Sequence, residues 1–100
     1  MKHDIEYDYT VKEVLSSVRE AMRELLPEEM ANGVRLYVEI ASLESSASDI
    51  GSMRIYWHVL VQHSSLDGFR VGIGHHSIDG LIRSFESQVV PELEMALVCV

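Results

Sequence analysis

Cysteine is almost absent from this chain: Cys99 stands alone, so no internal disulfide can form and the fold has to be held by its core. A lone thiol fits a reducing compartment and makes the cytoplasm the expected location. Basic residues are scarce too. Eight Lys and Arg stand against 16 Asp and Glu, a net charge of −8. A surface of that sign repels phosphate backbones and anionic membranes, and lacks the basic footprint of a nucleic-acid binder. No stretch approaches the roughly 18–20 apolar residues of a membrane span, and residues 1–10 lack the apolar core of a signal peptide. Prolines number only two, Pro27 and Pro91, so each is read as punctuation. What is present is ordinary globular material, 47% hydrophobic and 24% charged. A chain of this length buries roughly 60–70% of its unfolded surface, enough for one domain spanning residues 1–100.

The N-terminal residues 1–9 alternate acidic and apolar side chains through Ile5, Tyr7 and Tyr9, a pattern that suits either an edge strand or an extended arm. Thr10 and Glu13 have the spacing of a capping box. Behind them Val11, Val14, Leu15, Val18, Met22, Leu25 and Leu26 form the apolar stripe of an amphipathic helix that Pro27 ends. Pro27 can open one further turn that Asn32-Gly33 closes. Residues 34–43 alternate as a first strand, with Val34, Leu36, Val38 and Ile40 on the inner face. Residues 44–52, rich in Ser and Ala, predict a mobile loop. Met53–His63 divides cleanly into Ile55, Trp57, Val59 and Val61 on one side and Arg54, Tyr56, His58, Leu60 and Gln62 on the other, the signature of a half-buried strand. The segment 64–68, ending in Asp67-Gly68, predicts the hairpin turn, and residues 69–73 a third, short strand. Ser77 is placed to cap a second helix whose apolar residues are Ile78, Leu81, Ile82, Phe85 and Val89. Pro91 should interrupt it. Residues 91–100 then continue as helix to about 97, or close as a strand.

The order predicts an α+β fold: a two-layer αβββα domain with a three-stranded antiparallel sheet and two helices on one face, and room for an extra N-terminal edge strand. The other face of the sheet is left open. By register it carries Arg35, Tyr37, Glu39, Arg54, Tyr56, His58, Leu60, Arg70 and Gly72. Arg35, Tyr37, Arg54, Tyr56, His58, Leu60 and Arg70 are the candidate binding residues, because Tyr and Arg are favoured where proteins meet. Gly72 would let a ligand or backbone come close. Cross-strand pairing alone can also account for these residues.

No catalytic chemistry is legible, and no enzyme is expected. The five histidines show neither His-x-x-x-His nor Cys-x-x-Cys spacing, so neither metal nor cofactor is expected. Ser64 and Ser65 beside His63 do not make a triad. Gly72-Ile73-Gly74 before a helix lacks the basic residue of a phosphate loop and reads as a tight turn.

The helix–strand–strand–strand–helix order resembles that of a double-stranded RNA-binding domain. Gly72-Ile73-Gly74-His75-His76-Ser77 falls where that family turns into its second helix. The resemblance covers nearly the whole chain as topology. The family's basic cluster at the start of that helix is replaced here by Ser77-Ile78-Asp79-Gly80, so RNA binding is not carried over. The expectation is a non-enzymatic protein–protein interaction module that engages a basic partner through the open face, the acidic first helix, or both. In size and charge it is similar in broad character to phage-encoded inhibitors, some anti-CRISPR proteins included. The alternatives are a small anionic ligand held by Arg35, Arg54 and Arg70 over Tyr37 or Tyr56, and a homodimer joined through Tyr37, Tyr56 and Leu60.

Overall fold

The computed structural model describes residues 10–45 and 53–98, with backbone alone at 42–45, 53 and 54. The expectation for residues 1–9 lies outside these residues, as does the expected loop over 44–52 except at its first two positions, which belong to the first strand instead. Helix α1 (Val11–Leu25) opens on the capping box. The Glu13 amide donates to Thr10 Oγ1 at 3.1 Å, and the Thr10 amide donates to Glu13 Oε1 at 3.2 Å. Its buried stripe is Val14, Val18 and Met22. Leu26 is extended, as a residue ahead of proline must be. One turn, α2 (Glu28–Ala31), leads into the sheet.

Strands β1 (Val34–Ser45), β2 (Met53–His63) and β3 (Leu66–His75) form an antiparallel sheet in the order β1-β2-β3. The inner face is the expected one except at Ile40, which is 37% exposed. Ile55, Trp57, Val59 and Val61 are buried, with Trp57 at 1% exposure. Leu36 pairs with Val61, Val38 with Val59, and Ile40 with Trp57. Ala41 is an extra residue in β1, so pairing resumes at Ser42 opposite Tyr56.

The β2–β3 connection corrects the expected turn. The chain reverses at Ser64-Ser65, and β3 already runs from Leu66, longer than the expected 69–73. Val61 pairs with Val71 and His63 with Leu66, so the residues 67–70 of β3 face the single residue Gln62. Asp67-Gly68, read as a turn, is the start of this large bulge. Gly68 holds φ at +84, a left-handed geometry that glycine adopts without strain.

The second long helix runs over residues 78–98. Ser77 caps it, its hydroxyl accepting from the Gly80 amide at 3.0 Å. Helix α3 (Ile78–Ser84) passes through a π-helical turn, Phe85–Val89, into α4 (Val90–Val98). Pro91 therefore does not end the helix. The Val90 amide reaches back to the Phe85 carbonyl, and this wide turn accommodates a ring that has no amide to donate. It also keeps Leu81, Phe85, Val89 and Leu93 on one buried line. Steps of four residues would otherwise drift about 40° each around an α-helix. These side chains close over Trp57, Val59, Val61 and Ile73 together with the α1 stripe, giving one core between sheet and helices. No helix among the described residues is long and apolar enough to cross a membrane.

Candidate binding face

With both long helices buried against the odd-numbered side of β2, no helix among the described residues covers the even-numbered side. Tyr37 is 51% exposed there and sits directly opposite Leu60, which is half-buried. Glu39 lies opposite His58, with Oε2 and Nδ1 3.6 Å apart. Arg35 lies opposite Gln62, and both Arg35 and Arg70 are exposed.

The glycines of β3 do not stand open. A Cβ at Gly72 would come within 2.8 Å of His58 Nε2, and one at Gly74 would overlap the outer end of the Tyr56 ring. Both rings lean across the sheet onto the bare backbone of β3. They fill the space that Gly72 was expected to offer a ligand. Tyr56 is held further by His76, whose ring meets it edge-on at 5.1 Å between centroids and whose Nδ1–H donates to the Ile55 carbonyl at 3.0 Å. Tyr56 and His58 therefore act mainly as the floor of the face. Its exposed relief comes from Tyr37, Arg35 and Arg70.

The three expected arginines are not brought together. Arg54 lies opposite Glu44, eight positions along β2 from Gln62 and so about 26 Å away along the strand. Arg35 and Arg70 share one cleft of about 380 Å³ with Gln62, Ser64 and Asp67. The bulge at 67–70 forms the wall of this cleft. On its other side a second concavity of about 500 Å³ separates β3 from α4 and is lined by Phe69, Val71, Pro91 and Met95.

Surface charge is distributed differently from the expectation. The exposed side of α1 sets Lys12, Arg19 and Arg23 against Glu13, Glu20 and Glu24, so it is balanced rather than acidic. Residues 78–98 carry Asp79, Glu86, Glu92 and Glu94 against Arg83 alone, a net of −4 + 1 = −3.

The histidines at the ends of the sheet have structural partners. His75 Nδ1 accepts from the Ser77 amide at 3.1 Å. His63 is 7% exposed. Its Nε2–H donates to the Met30 carbonyl at 3.0 Å, and its Nδ1 accepts from the Ser65 amide at 3.0 Å. These two partners fix one neutral tautomer. The ring lies on Gly33, where a Cβ would overlap it, and the Ser64 amide donates to the Gly33 carbonyl at 2.8 Å. His63 thus pins the α2–β1 turn to the β2–β3 turn at one end of the cleft. Nothing in the sequence signalled this, because both of its partners are backbone groups. Among the described residues no three His, Cys, Asp or Glu side chains converge as a metal site would require.

Comparison with known proteins returns no match, whether to a family model, to a curated protein or to a solved structure.

Proposed function

We propose that this is a non-enzymatic interaction module that binds another protein through the uncovered face of its sheet. The observation that carries the reading is the pairing of a half-exposed Tyr37 with Leu60 at the middle of a face that no helix among the described residues covers. An exposed tyrosine offers a large contact area with few rotamers to immobilise, and it is flanked by arginine, the other residue favoured at binding centres. The Tyr56 and His58 rings, packed down on Gly74 and Gly72, give a preformed floor that loses little freedom on binding. The negative helix 78–98 lies outside this patch and would speed encounter with a basic partner. An inhibitor-type role of the kind played by small acidic phage proteins fits that charge, and the cytoplasm is the compartment proposed.

The test is proximity cross-linking in the native host with the wild-type chain and a Tyr37→Ala/Leu60→Ala double variant. Both side chains lie outside the core, so the variant should fold. The expected result is a protein captured by the wild type, more strongly at low salt, and lost in the variant. Identical capture by both chains refutes the reading. Self-association through the same face is the competing outcome, and light scattering of the pure chain would show it as a dimer mass.

A further inference from the structure

We infer that the cleft beneath the β3 bulge is an oxyanion site, with Arg35 and Arg70 as its two cationic walls and Gln62 between them. The register places Arg35 directly opposite Gln62, and Arg70 is the last bulge residue facing that same glutamine. All three line one cleft of about 380 Å³, with Ser64 at its rim. The bulge that shapes it rests on Gly68 at φ +84, a geometry that disfavours other residues, so the cleft is specified by the sequence. Bulges commonly re-aim side chains beside binding sites.

The electrostatics point to an anion. The protein has only eight basic residues against 16 acidic ones, yet two of the eight line the same concavity. Asp67 lines it as well, but among the described residues neither guanidinium has a carboxylate within 4.0 Å. Like charges brought together on one sheet face repel, and a bound anion turns that repulsion into attraction. Each guanidinium presents a planar fork of donors matched to two oxygens of a phosphate or carboxylate. The Gln62 amide and Ser64 hydroxyl add neutral donors. Two arginines on opposite walls suit a doubly charged group best, so the site selects phosphate over a monocarboxylate. It does not depend on what Tyr37 and Leu60 engage, and its failure would leave that reading standing.

The experiment is an NMR titration of the ¹⁵N-labelled chain with inorganic phosphate and, separately, with acetate, at constant ionic strength. Saturable shifts confined to the amides around Gln62 and 66–70 are expected, stronger with phosphate. Tighter binding of acetate than of phosphate would overturn the selection of a doubly charged group. Arg35→Gln and Arg70→Gln should each weaken binding about tenfold, the value of one charge-assisted contact at an open site. Arg19→Gln, on the exposed side of α1, should leave it unchanged. The inference is overturned if neither anion gives saturable shifts there, or if Arg19→Gln weakens binding as much as the two cleft variants.

Discussion

Replacing Gly33 and His63 by alanine, singly and together, tests whether one imidazole pins two turns. His63→Ala leaves the Met30 carbonyl and the Ser65 amide without their 3.0 Å partner and removes a ring that is 7% exposed. At about 1 kcal/mol for each of the two lost bonds and 1–2 kcal/mol for the packing, the loss is about 3–4 kcal/mol. The lower half of that range is favoured, since the Met30 carbonyl keeps the Gly33 amide at 3.3 Å. Gly33→Ala drives a methyl group into the same ring, and the ring must give up its hydrogen bonds to move. That overpacking should destabilise by about 2 kcal/mol. Gly33 does not have a left-handed φ, so alanine meets no backbone strain there. Once His63 is gone, the methyl group has free space, and the loss of glycine's freedom in the unfolded chain adds about 0.4–1 kcal/mol of stability. The double variant should therefore be no less stable than His63→Ala alone, a coupling of about 2 kcal/mol. Trp57 is the only tryptophan and is 1% exposed, so urea unfolding followed by its fluorescence reads the whole core. With a urea m-value of about 1–1.5 kcal/mol/M, a 2 kcal/mol change moves the midpoint by roughly 1.3–2 M. Strict additivity of the two single changes, or a Gly33→Ala effect below about 0.5 kcal/mol, would refute the reasoning.

The same assay reads three further changes, with circular dichroism replacing fluorescence where Trp57 is altered. Trp57→Ala empties the centre of the inner face and should lower stability by about 3–5 kcal/mol, while Tyr37→Ala, on the outer face, should stay within about 0.5 kcal/mol of wild type. Equal losses at the two positions would contradict the face assignment. Thr10→Ala breaks the capping box and should destabilise by about 1 kcal/mol; an unchanged midpoint would mean the cap contributes nothing. Gly68→Ala meets no neighbouring atom but must hold φ at +84, so it should lose about 1–2 kcal/mol from backbone strain alone. A larger loss would point to packing at the bulge.

The sequence was most legible where one local rule acted without competition. Trp57 and the aliphatic residues around it define the inner face of β2 by parity alone, and Thr10-Glu13 marks the start of α1 because both halves of that motif lie within four residues. The three-stranded sheet with helices on one side followed from these patterns. Reading failed where a local signal could be satisfied in two ways. Asp67-Gly68 favours left-handed backbone, which serves a hairpin turn or a bulge equally well, and the earlier reversal at Ser64-Ser65 made it a bulge. Pro91 rules out ordinary helical bonding to the residue four back, but a π turn removes the conflict. Alternation in β2 separates Tyr56, His58 and Leu60 from the buried residues, yet it cannot show that Tyr56 and His58 lie down on Gly74 and Gly72, nor that Arg54 sits far from Arg35 and Arg70. Those are cross-strand facts, set by pairing partners distant in the chain.

Both rims of the sheet share a property that matters when molecules crowd together. Among the described residues β1 and β3 are its outer strands, and each is interrupted, by Ala41 in one and by residues 67–70 in the other. A foreign strand aligning along either rim meets a break in the ladder of amides and carbonyls before it can zip fully. The irregularities thus guard the two outermost described strands against polymerising sheet to sheet.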